Sequence, residues 1–128
     1  MEEGGSPDWH RGITLGELAR AVHSEGRAAD AEKLLRQAIA LMTPGATASQ
    51  RSVTLRCLAS AVLDQGRGAE AEDLFRQALS LVEKGRSSVA DVSAILRGLS
   101  RAVREQGRSE QADQIAREAE TVSAGTKR

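Results

Sequence analysis

GRAADAEKLLRQAIAL, residues 26–41, returns 40 residues later as GRGAEAEDLFRQALSL, residues 66–81, identical at 10 of 16 positions. Identity of that extent within one chain marks copies of a single unit. A third copy, GRSEQADQIAREAETV at 107–122, is weaker but follows at an interval of 41. The phase also holds upstream of each Gly-Arg. Leu15, Leu18, Ala19 and Val22 align with Leu55, Leu58, Ala59 and Val62, then with Leu96, Leu99, Ser100 and Val103.

Within a unit the apolar residues keep helical spacing. Leu55, Leu58, Ala59 and Val62 fall at i, i+3, i+4 and i+7, one stripe of a 3.6-residue helix. Past the Gly, Ala71, Leu74, Phe75, Ala78 and Leu81 form a second stripe. The Gly stands where the first helix must stop, because glycine takes the left-handed conformation at little cost. Each unit therefore reads as two antiparallel helices joined by a short turn. Ser6 followed by Pro7 predicts an N-cap and a first helical residue. Pro44-Gly45, and Gly85 with Ser87-Ser88, punctuate between units. The expected boundaries are a flexible terminus at 1–6, units at about 7–43, 47–84 and 87–122, and a flexible tail at 123–128.

These residues resemble the tetratricopeptide repeat family in spacing. The middle unit matches through Leu55-x2-Leu58-Ala59-x2-Val62, then Ala71-x3-Phe75, then Ala78,. Leu replaces the family's Trp, Val replaces its Tyr, and the period is six or seven residues longer than the usual 34,. The surplus adds about two helical turns per unit, as in long-period members, and places Trp9, Ile13, Val53 and Ile95 on extended first helices. The resemblance implies an all-α, right-handed superhelical solenoid of three helix-turn-helix repeats. It also implies that Ala19, Ala31, Ala59, Ala71 and Ala112 lie where paired helices approach closely. Glu120 stands where Ile39 and Leu79 follow the earlier glycines, which predicts that the array ends there against water. Ile115 and Val122 then read as a short cap, the alternative being a weak dimer face.

Composition narrows the function. Eighteen cationic side chains balance 18 acidic ones in 128 residues, which argues against a general nucleic-acid binder. Trp9 and Phe75 are the only aromatic residues, so base-stacking platforms are nearly excluded. No apolar run reaches the ~18 residues of a membrane span, and the acidic, polar start is unlike a secretory signal. Cys57 is alone, which favours a reducing, cytoplasmic setting. It reads as a small, partly buried apolar residue. His10 and His23 lack metal-ligand spacing and read as solvated. Glu72–Arg76 and Asp113–Arg117 read as local ion pairs. No catalytic constellation, cofactor motif or metal cluster emerges. The chain is expected to be non-catalytic and to need no cofactor. The Arg and Ala bias points to a GC-rich bacterial gene.

The face left over from the core stripe of the first helices is informative. At ten, six and three residues before the repeat Gly stand Gly16, Arg20 and His23. In the second unit they are Arg56, Ser60 and Leu63, and in the third Arg97, Arg101 and Arg104. These positions carry five arginines and no acid, whereas the second helices at 68–81 and 109–122 are acid-rich. Forked guanidinium donors suit carboxylates. The expectation is a protein-interaction module whose concave groove holds an acidic partner segment, with apolar contact at Leu63. Arg20, His23, Arg56, Ser60, Leu63, Arg97, Arg101 and Arg104 are the candidate contacts. Glu17, Asp64 and Glu105 border them and are potential internal partners. The alternatives are a regulatory, chaperone-like sensor or a structural subunit that dimerises through its end helices. A monomer is favoured, with a weak homodimer as the other possibility.

Overall fold

A computed structural model of the chain describes residues 7–42, 45–85 and 88–125. They form α1 (Asp8–Ser24), α2 (Ala28–Met42), α3 (Ala48–Leu63), α4 (Gly68–Gly85), α5 (Val89–Glu105) and α6 (Ser109–Gly125). The six helices pack as three antiparallel pairs, α1 on α2, α3 on α4 and α5 on α6. Neighbouring pairs join where α2 meets α3 and α4 meets α5.

One device closes all three pairs. Gly26, Gly66 and Gly107 have φ of +84°, +84° and +83°. Each glycine N–H bonds back three residues, and the following arginine N–H bonds back five, as Gly66 to Leu63 and Arg67 to Val62. That is the Schellman arrangement, which satisfies carbonyls the helix end leaves open. The starts are more varied. Thr47 and Gln50 form a reciprocal capping box on α3, and the Ser88 hydroxyl accepts from the Asp91 N–H on α5. Pro7 does not become the first helical residue as expected. It holds the N-cap place itself with φ −55° and ψ 152°, its carbonyl accepting from the N–H groups of His10 and Arg11. Ser6, Pro44, Arg86 and Ser87 lie outside the described residues, as do 1–5, 43 and 126–128. Residues 123–125, expected in the tail, continue α6 to Gly125, and the Ser123 hydroxyl bonds that of Ser93 at 2.8 Å.

Close approach within pairs rests on small side chains. Ala19, Ala31, Ala59, Ala71 and Ala112 are wholly buried. Fourteen residues before each repeat Gly stands Gly12, Ser52 or Ser93. The Ser52 hydroxyl donates to the Ala78 carbonyl at 3.1 Å. A Cβ on Gly12 would lie 2.8 Å from the equivalent carbonyl of Ala38, so in the first pair the helices touch directly. One apolar core runs from Ala19 through Phe75 to Ala119. Phe75 reaches from α4 across to α5, where its ring covers Gly98 so closely that a Cβ there would come within 2.3 Å.

Candidate functional site

The second junction is filled by Phe75 against Gly98. At the first junction, counting from the repeat glycines, Leu35 stands in the place of Phe75 and Cys57 in that of Gly98. Gly16 stands where the next unit carries Arg56. A shorter knob and a bare backbone wall leave a cleft of about 240 Å³ between α1 and α3, with α2 as its floor. Ile13, Leu35, Met42, Val53 and Cys57 line it, and Arg20, Glu17 and Gln50 stand at its edges. Burial pushes the Cys57 thiol pKa up, so it presents as a neutral thiol,. Past Arg20, Leu35 and Cys57 the cleft continues into a more polar hollow walled by His23, Arg56 and Ser60.

The structure therefore brings together four of the candidate residues, Arg20, His23, Arg56 and Ser60. Arg20 is exposed and Arg56 half-buried. Neither makes an ion pair among the described residues, and the Arg56 Nε is buried without an acceptor. Leu63, Arg101 and Arg104 gather at a separate shallow hollow with Glu105. Leu63 is only 4% exposed, so it belongs to the core more than to the surface expected of it. Arg97 is exposed on α5, outside both hollows.

Acids claim part of the basic face. His23 is not simply solvated, as its Nε2 lies 2.6 Å from Oδ2 of Asp64. Arg101 approaches the other oxygen of Asp64 at 3.6 Å. Asp64 thereby ties the first unit to the third along the lower rim. Arg104 donates to Asp113 at 3.0 Å, which takes the place of the expected Asp113–Arg117 pair. Glu72–Arg76 forms as expected, at 2.9 Å.

A larger network lies away from the cleft, at the turns. Glu32 on α2 accepts from Arg67 at 2.8 Å, Gln65 at 2.9 Å and Arg36 at 2.8 Å. Arg36 and Arg67 also share Glu70, each at 2.7 Å. The hydrogen bond from Arg67 is the main cause that holds the Glu32 carboxyl down at about 2, against an ordinary 4.5 and in spite of burial. Glu72 repeats this one unit on, accepting from Arg108 and Gln106 at 2.8 Å, and is likewise held at about 2, chiefly by Arg108. The single-sequence reading missed this staple and the cleft. Both were discoverable by comparing the copies, since Glu32 and Glu72 share an offset while Leu35 and Phe75 differ at theirs.

Among the described residues no group of His, Cys, Asp or Glu is arranged to hold a metal ion. No helix there is long and apolar enough to cross a membrane. Stacked helix pairs with a cleft open between first helices define a helical-repeat scaffold. The tetratricopeptide repeat family profile matches residues 50–123, and the chain belongs to that family. It is similar to crystal structures of nearly identical TPR-like repeats from Podosopora anserina, in a protein named for kinesin light chain. One match is 26% identical with a TM-score of 0.75 and covers 92% of this chain and 57% of the other. A second is 26% identical with a TM-score of 0.73 and covers 93% and 58%. The chain thus spans less than two thirds of those structures. Comparison with curated protein sequences finds no match. Domains of this family generally bind other proteins.

Proposed function

We propose that this domain is a non-catalytic interaction module that holds an acidic segment of a partner protein against α1 and α3, with one apolar side chain of that segment seated in the cleft. The observation that carries the reading is the pairing of an open apolar cleft with Arg20 and Arg56, two cations without carboxylate partners among the described residues. A buried guanidinium nitrogen without an acceptor is costly unless an incoming group satisfies it. An acidic segment supplies that acceptor, while the apolar side chain removes from water the surface lined by Ile13, Leu35 and Val53. Arg97, exposed on α5, extends the positive field along the same face and steers association. A lone cysteine suits a reducing cytoplasm.

The test is fluorescence anisotropy with labelled acidic peptides that differ only in a central Leu or Ala. The Leu peptide is expected to bind more tightly, and its affinity to fall as salt is raised. Arg20→Glu combined with Arg56→Gln is expected to abolish binding, and Gly16→Leu to remove the preference for Leu by filling the cleft. Equal binding by the wild type and the double variant at low salt would contradict the proposal.

A further inference from the structure

The two staples inside the chain share one geometry. An acid six residues past one repeat Gly accepts from the arginine one residue past the next, as Glu32 from Arg67 and Glu72 from Arg108. At the first junction Arg36 and Glu70 close a four-membered ring of alternating charge. Each end of the array carries the residue types for half of that ring. At the α1–α2 turn stand Arg27 and Asp30, already bonded to each other at 3.1 Å as Arg67 is to Glu70. At the same offsets on α6 stand Asp113 and Arg117, counterparts of Glu32 and Arg36, with Asp113 bonded to Arg104 at 3.0 Å and open to a second arginine as Glu32 is to two.

The faces beside these halves are also uncovered. Leu18 is 51% exposed, whereas its counterparts Leu58 and Leu99, covered by the preceding unit, are 3% and 1%. Ala21 is exposed, whereas its counterparts Ala61 and Ala102 are wholly buried. On α6 the outward position of Phe75 is taken by Ala116 and that of Leu79 by Glu120, so this surface is flatter and more polar than the internal ones.

We infer that the α1 end of one molecule docks onto α6 of a second copy, head to tail, with Arg27 and Asp30 closing the charge ring on Asp113 and Arg117. The second copy is favoured as the occupant because this chain itself presents both complementary halves at matching offsets. Such a contact is heterologous, so it repeats from copy to copy and gives open oligomers that grow with concentration. It is weaker than the internal junctions for two reasons. Ala116 inserts less than Phe75, and Glu25 stands where Gln65 and Gln106 donate to the acid. Like charge between Glu25 and Asp113 opposes the contact, which makes it reversible.

Analytical ultracentrifugation of the full chain tests this with charge reversals at exposed positions. Wild-type protein is expected to show a weight-average mass that rises with concentration and falls with added salt. Arg27→Glu alone and Asp113→Arg alone are each expected to raise the dissociation constant by about tenfold or more, with the helical circular dichroism signal unchanged, since the ion pairs they lose to Asp30 and Arg104 are exposed,. Mixing the two variants restores opposite charges at every junction and is expected to recover association. Glu25→Gln is expected to strengthen it. A concentration-independent monomer would overturn the proposal. So would self-association that neither reversal weakens, or a mixture that associates no better than its components.

Discussion

Two glycines, one at the first junction and one at the second, show how much one methyl group decides. A Cβ on Gly16 would meet only the Thr54 hydroxyl, at 3.8 Å. Gly16→Ala is therefore expected to stabilise the protein by about 0.5–1 kcal/mol, the usual gain of replacing glycine inside a helix. Gly98→Ala is expected to do the opposite, costing about 1–3 kcal/mol, since the new methyl meets a fully buried Phe75 ring that has nowhere to move,. Urea denaturation of both variants checks the contrast. The cleft therefore sits where the packing is loose enough to accept a group, and the filled junction shows what a tight one looks like. These differences were written in the sequence as Leu35 against Phe75 and Cys57 against Gly98. Periodicity alone does not read them, because it reports which face a residue occupies and not how much volume its neighbours leave; only comparison of the copies shows them.

At the scale of the element, the helices and their ends followed directly from the pattern. Positive φ at Gly26, Gly66 and Gly107 is a demand of the chain reversal, and only glycine meets it without strain,. Ion pairing followed less well. Asp113 is bonded to Arg104 on another helix instead of Arg117 one turn along, and His23 finds Asp64 at a separation of 41 residues. Helical spacing shows only pairs within one helix, whereas these partners meet because the units stack. The Glu32 staple joins α2 to the following turn and carries a pH signature. Its carboxyl is held at about 2 in the folded protein and titrates near 4.5 when unfolded. Its contribution is therefore complete above about 4.5 and is lost as pH falls toward 2. Glu32→Gln is expected to destabilise the protein by about 1–2 kcal/mol at pH 7, toward the lower end because its arginine partners are solvent-exposed. The gap between variant and wild type should close by pH 2. Denaturation midpoints measured at pH 7, 4, 3 and 2 check this, and a gap that stays constant would remove the staple from the account.

Over the whole molecule, stability is the sum of units and of the contacts between them. Phe75 is wholly buried at the second junction and serves both the middle and the last unit. Phe75→Ala is expected to cost about 3–5 kcal/mol and to lower the melting of the entire array, as calorimetry would show. The number of units, their order and their common architecture were legible because they are repeated three times. The basic face was legible as a set of offsets. Its division was not, since Asp64 and Asp113 neutralise Arg101 and Arg104 only once α3, α5 and α6 are brought together. What stays unpaired beside an open cleft, among the described residues, is Arg20 with Arg56, and the functional reading rests on that pair. A nuclear magnetic resonance titration of the isotope-labelled chain with the acidic, Leu-centred peptide addresses it most directly. The account predicts that the amide signals of Gly16, Arg20, Val53 and Cys57 move in a saturable way while those of Asp113 and Glu120 stay in place. Saturable shifts confined to the acidic second helices, with α1 and α3 unmoved, would contradict it.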